Sequence, residues 1–186
     1  AFHEWLPIRT PDPRRPQQIN RSFAFGNLLA LHMLDTRVIA RDRQMEYANY
    51  FGSDGSFDVQ RFAADLADTD RQLLGAEQLL WLQQQLSGSA ATWQMLGQQV
   101  LMGRMNIPAP LVLGQISFSA YSALVYKAQT APATLTPQEQ FILAQPAIPY
   151  NLDAWDGYAM ARETVLAMAR GLNKNLVVLA GDTHNA

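Results

Sequence analysis

The chain has 186 residues, long enough to bury one substantial core, and 48% of them are hydrophobic against 16% charged, the balance of a globular domain. A formal net charge of −2 supplies no basic footprint, so nucleic acid is not an expected partner. The absence of cysteine excludes a disulfide framework and a thiolate metal site.

The opening Ala1-Phe2-His3-Glu4-Trp5 has no basic stretch followed by an apolar one, so no signal peptide is expected in this chain. It also lacks an initiator Met, and both ends read as cut. His3-Glu4 has no second His at helical spacing and is not a zincin motif. Pro7, Pro11, Pro13 and Pro16 lie among Arg9, Arg14 and Arg15, and proline at this density predicts an extended surface segment. Arg14-Arg15 can steer an anion; a solvated loop is the simpler reading.

Ser22-Phe23-Ala24-Phe25 alternates, Gly26-Asn27 signals a turn, and Leu28 to Leu34 is nearly continuous and apolar, which predicts two successive strands. His32, inside the second, is expected to be a satisfied core residue. This strand delivers Asp35-Thr36-Arg37 and then Arg41-Asp42-Arg43. A guanidinium fork suits phosphate oxygens, while an Asp35–Arg pair that merely fastens the loop is an equal alternative. Tyr47 to Phe57, around Gly52-Ser53-Asp54-Gly55-Ser56, reads as an exposed turn region. It lacks the terminal Glu of a calcium loop.

Leu79, Leu82 and Leu86 recur at helical spacing, so a helix is predicted over 76–87, stopped by Ser87-Gly88-Ser89 and with Trp81 in its buried stripe. A core strand over 93–100 follows, with Gln98 and Gln99 placed to bond a ligand or another loop. Residues 107–126 carry no charge, a length that can cross a bilayer. Pro108, Pro110, Gln115 and three serines argue against a membrane span. The stretch 103–150 is instead expected to be a lid or insertion. It holds one short helix, with Thr136 as N-cap, Pro137 in the first turn, Glu139 completing a capping box and Pro146 ending it.

Tyr158, Ala161, Val165, Met168 and Leu172 trace one face of a helix over 157–170, with Gly171 and Asn173 as stop. Leu176 to Ala180 then reads as a strand buried on both faces. Helix into strand occurs twice, which predicts a layered α/β architecture. The chain ends in Gly181-Asp182-Thr183-His184-Asn185-Ala186. A carboxylate and an imidazole two residues apart, at the carboxyl edge of a buried strand, can reach one metal centre or bridge a pair. A polar turn after a core strand is the alternative.

Taken in order, these motifs resemble the PhoD-like (alkaline phosphatase D) family. They are Leu34-Asp35-Thr36-Arg37 with Arg41-Asp42, then Gly75-x-Glu77-Gln78-x-x-Trp81-Leu82. Trp93 leading to Gly97-Gln98-Gln99-Val100, Trp155-Asp156-Gly157-Tyr158 and Gly181-Asp182-Thr183-His184-Asn185-Ala186 follow. Phe2-x-Glu4-Trp5-x-Pro7-x-Arg9 is similar to a mid-domain segment of that family. The resemblance covers essentially the whole chain.

It implies part of a four-layer α/β/β/α metallophosphoesterase sandwich, a single partial catalytic domain over 1–186, and metal-dependent hydrolysis of phosphate esters in the parent enzyme. It also implies metal ligation by Asp182 and His184, with iron and calcium as the expected metals, and Asn185 in support. Trp155 and Asp156 would line the approach, and Arg37 and Arg41, beside Asp35, would neutralise the anion. The family's earlier ligand motifs, of the Gly-Asp-Tyr and Asp-Asp-His-Glu type, are absent and would lie upstream of Ala1. Little phosphatase activity is therefore expected from the isolated chain. A non-catalytic binding or assembly module on the same scaffold is the rival reading, and a diesterase is a second enzymatic one. A periplasmic or extracellular location follows from the resemblance alone.

Overall fold

The computed structural model describes Thr10 and residues 12–181. In chain order the elements are β1 (Arg21–Phe25), β2 (Leu29–Met33), α1 (Val59–Leu66), α2 (Gly75–Gly88) and β3 (Trp93–Gln98). β4 (Asn106–Pro108), α3 (Ala109–Val112), α4 (Phe118–Thr130), α5 (Pro137–Ala144), β5 (Ala147–Pro149), α6 (Ala159–Gly171) and β6 (Asn175–Ala180) complete the series. β1 and β2 form an antiparallel hairpin, closed at Phe25↔Leu29 by a turn in which Gly26 adopts φ +57, a conformation only glycine takes without strain. β2, β3 and β6 run parallel, and the sheet order is β1-β2-β3-β6. Parallel neighbours need long crossovers. α1 and α2 lie in the first; the second carries β4, α3, α4, α5, β5 and α6.

Alternation along the strands sends Leu34 and Leu96 toward α2 and α6. There they join Leu82, Leu86, Trp155 and Val165, all at 1% exposure or less. Each such side chain stabilises the fold by about 1.5–3 kcal/mol relative to exposure. Trp81 and Met168 pack partly buried against this cluster, in line with the helical stripes read from the sequence. α6 ends where Asn173 takes φ 52, the left-handed stop expected there. His32 is a satisfied core residue. Ser22 Oγ lies 2.8 Å from its Nδ1, and its Nε2 lies 2.9 Å from Gln94 Oε1. Gln94 Nε2 donates to Ala91 O, so Gln94 Oε1 faces the ring as acceptor and His32 carries its proton on Nε2.

The opposite face of the sheet differs from the expectation. Phe25 is 55% exposed and Leu179 51%, with Phe23 and Trp93 similarly open. β6 is therefore not buried on both faces: it is the edge of the described sheet, and only its helix-facing side is covered. It spans Asn175–Ala180, one residue more than the apolar run Leu176 to Ala180, whereas β3 stops at Gln98, because Gln99 turns away to bind the loop after β2.

The region 47–57 is largely exposed, as its turn residues suggest, with Tyr50 as the buried exception. A 3-10 turn at Tyr47–Tyr50 buries Tyr50, which packs with Phe57 and Phe62 of α1 in a second core that includes Ile148 and Leu152. Hydrogen bonding from Tyr50 to Asp65 adds to burial in pushing its hydroxyl up to about 12. α1, capped by Asp58 accepting from Arg61 N, has no counterpart in the sequence reading.

Residues 103–150 hold more than one short helix. α4 and α5 form a helical pair tied by Lys127 Nζ to Glu139 at 2.8 Å, and β4 pairs with β5 in a separate antiparallel ribbon. The capping box at Thr136 and Glu139 is present as read. Before β1, Arg15 binds Glu77 of α2 at 2.8 Å and Arg14 binds Asp12, so this arginine pair fastens a loop.

Candidate functional site at the strand ends

The carboxyl edge of β2, β3 and β6 collects the polar residues. Past β2, Leu34 N donates to Gly97 O at 2.9 Å, and the chain then turns out of the sheet. Gln78 of α2 holds Asp35 by both backbone groups: its Oε1 accepts from Asp35 N at 2.7 Å and its Nε2 donates to Asp35 O at 2.8 Å. Gln99 does the same one residue on, accepting from Thr36 N and Oγ1 and donating to Leu34 O. Two glutamine amides thus fix a loop that sheet pairing has released. Gly75, at φ +73, lets α2 start against this loop; a Cβ there would lie 2.3 Å from the Ala40 Cβ.

Asp35 is 2% exposed. Its Oδ1 accepts from Arg37 N at 2.9 Å and Val38 N at 3.0 Å, so its carboxylate shapes its own loop rather than pairing with an arginine side chain. Its Oδ2 is buried without a hydrogen-bond partner among the described residues. A lone buried acceptor costs about 1–3 kcal/mol of desolvation and calls for a donor or a cation. Gln98, at the end of β3, is also half-satisfied. Its Oε1 accepts from Trp155 Nε1 at 2.6 Å, whereas its Nε2 has no partner among the described residues.

Arg37 and Arg41 converge on one carboxylate. Arg37 Nη1 donates to Asp153 Oδ2 at 2.6 Å, and Arg41 Nη2 donates to Asp153 Oδ1 and, at 2.9 Å, to Asp153 O. Arg41 also lies over the Tyr158 ring, 5.0 Å from its centroid, with Arg71 at 4.8 Å. Burial pushes the Tyr158 hydroxyl up in pKa, against the pull of these two cations. Trp155 faces Gln98. Asp156 turns the other way, into a buried ion pair with Arg162, and accepts from Met105 N at 2.7 Å. Gly157, next in the chain, lets the backbone pack against Leu152: a Cβ there would lie 2.0 Å from Leu152 O.

The structure therefore brings Asp35, Arg37, Arg41 and Trp155 to one edge of the sheet and sends the Asp156 carboxylate away from Gln98. Asp182, His184 and Asn185 lie outside the described residues. Gly181 N donates to Gln98 O at 3.4 Å, and β6 is in register with β3 up to Gln98↔Ala180. The chain thus leaves β6 at the edge that carries Asp35. Among the described residues no group of three or more His, Cys, Asp or Glu is arranged to hold a metal. Asp153 and Arg162 were missed in the sequence, and Gln78 stood there only inside a motif, with no role. Arg162 left a signal: it falls four residues after Tyr158 and three before Val165, on the buried face of α6.

The described residues thus form an α/β fold with a mixed sheet, parallel crossovers and a polar strand edge. The chain belongs to the PhoD-like phosphatase family, whose model matches residues 1–186. It is 30% identical over 187 residues to alkaline phosphatase D of Bacillus subtilis (strain 168), covering 99% of this chain and 24% of that protein. It also matches a solved structure described as PhoD, with a TM-score of 0.61 and 31% identity, over 98% of this chain and 27% of the other. The chain spans about a quarter of the length of the curated relative it matches. No helix among the described residues is long and apolar enough to cross a membrane.

Proposed function

We propose that this chain supplies part of the active site of a metal-dependent phosphate-ester hydrolase, of the kind that its alkaline phosphatase D relative is named for. The observation that carries the proposal is the parallel register of β3 and β6. β6 ends at the same sheet edge at which Asp35 keeps a buried oxygen unpaired among the described residues, and Asp182 and His184 come next in the sequence. The donors fit a cation: a carboxylate and an imidazole suit iron, and carboxylate oxygens suit calcium. Asp182 and His184 would hold the metal, with Asn185 in support. Bound there, the metal would supply charge for the phosphoryl oxygens and a water of lowered pKa.

The chain's own residues then act by position and charge. Asp153 holds Arg37 and Arg41 together at the edge of the site, so their guanidinium groups arrive pre-oriented. A pre-oriented cation stabilises an equatorial phosphoryl oxygen at little reorganisation cost. Gln78 and Gln99 lock the loop that carries them, and Trp155 keeps the floor of the site closed against Gln98. A second sheet stacked on Phe23, Phe25, Trp93 and Leu179, which gives the four-layer sandwich, belongs to the same proposal and is supported by their exposure. Monoester or diester preference and export from the cell rest on the family alone.

The test is Asp182→Asn and His184→Ala in the whole protein, with metal content and turnover measured together. Loss of both supports the proposal; unchanged metal stoichiometry and unchanged phosphate release overturn it.

A further inference from the structure

A second cavity, of about 310 Å³, opens between α1, the β4–β5 ribbon and the start of α6. Phe62, Leu66, Ile148 and Pro149 line its walls, and Asp156 and Arg162 its base. That volume is at the lower end for small-molecule sites, and apolar walls with a few fixed polar groups are what such sites share. The base is unusual. Arg162 is 4% exposed, yet its guanidinium is only partly used. Nη1 donates to Asp156 Oδ1 and Nε to Glu163 Oε1, which leaves Nη2 without an acceptor among the described residues.

Asp156 has no spare role here, because its other oxygen is taken by Met105 N. Arg104, at the rim, shares Glu163. The two arginines thus share two committed carboxylates, Asp156 and Glu163, and Arg162 Nη2 is the donor left over among the described residues.

We propose that this cavity is a binding site for a small apolar carboxylate, its hydrocarbon body against Phe62, Leu66 and Ile148 and its carboxylate on Arg162 Nη2, with Arg104 alongside. A carboxylate oxygen accepts from the N–H groups that Nη2 still offers, a charge-assisted hydrogen bond. The site stands apart from the phosphate chemistry: Trp155 turns to Gln98, whereas its neighbour Asp156 turns to Arg162. The inference does not depend on the chain being part of a hydrolase.

Benzoate is the probe, with benzamide as its uncharged isostere, titrated into the purified protein by calorimetry and by NMR of the α1 and α6 amides. Benzoate saturates the site below about 10 mM, and benzamide binds at least about tenfold more weakly. Ala63→Trp, an exposed α1 position on the cavity wall, fills the space without touching the ion pair and abolishes binding while the melting temperature holds. Arg162→Lys keeps the charge but loses the fork, and weakens benzoate by at least about tenfold. No saturation by benzoate, equal binding of benzamide, or binding that survives Ala63→Trp in a folded protein overturns the proposal.

Discussion

Trp155 Nε1 donates to Gln98 Oε1 at 2.6 Å in the core, and through this bond the turn before α6 is fixed to the end of β3. Neither residue is exposed. Gln98→Leu leaves the indole N–H unpaired and is expected to cost about 1–3 kcal/mol. Trp155→Phe costs more, since it also removes packed volume. The double substitution falls short of the sum of the singles by about 1 kcal/mol or more. Urea unfolding of the four proteins measures that coupling, and additive losses would show that the bond contributes nothing.

Among the described residues, the Asp153 carboxylate is shared by Arg37 and Arg41. Asp153→Asn is expected to lower stability by about 1 kcal/mol, because the pair is only partly exposed. Its larger effect falls on the two arginines, which lose their common anchor. In the whole protein this appears as a raised KM for a phosphate monoester and a weaker inhibition by inorganic phosphate, read by steady-state kinetics. An unchanged KM with unchanged phosphate inhibition would place the arginines outside the substrate site.

Burial lowers the pKa of His32 from 6.5, against a smaller raising effect from Gln94. The folded protein therefore binds this proton less readily than the unfolded chain does. Its contribution to stability is complete above the unfolded value of about 6.5 and is lost as the pH falls through the lower folded value. Stability measured from neutral pH to mildly acidic pH should decline, and His32→Gln should remove part of that slope. Equal slopes in the two proteins would contradict the assignment.

The Asp156–Arg162 pair is buried on both sides, at 5% exposure each. Asp156→Asn strands the guanidinium and is expected to cost about 3–5 kcal/mol. Replacing both residues, as Asp156→Leu with Arg162→Met, costs less than either single change. Thermal unfolding distinguishes these outcomes.

The 186-residue chain by itself is expected to release little phosphate from a chromogenic monoester, because two metal ligands leave a site too open to hold a catalytic metal. Robust release that disappears on chelation would refute this.

Much of the scaffold was legible in the sequence, because periodicity and caps are local. The β1–β2 hairpin, the Leu79-Leu82-Leu86 stripe, the capping box at Thr136 and the stop at Asn173 all depend on residues within a turn or two. The family followed from the order of such motifs. Tertiary structure decided what local pattern cannot carry. Leu176 to Ala180 reads as doubly buried, but burial belongs to neighbours, and its open face has a cover only where another layer packs on it. Tyr50 sits among turn residues yet is buried, because Phe57 and Phe62 meet it across the chain. Most of all, the partners of the charges were set by long-range approach: Asp35 serves its own loop, Arg37 and Arg41 reach across more than a hundred residues to Asp153, and Arg162 finds Asp156 inside the core. Sequence fixes which groups can ionise; only the fold brings each to the partner that decides what its charge does.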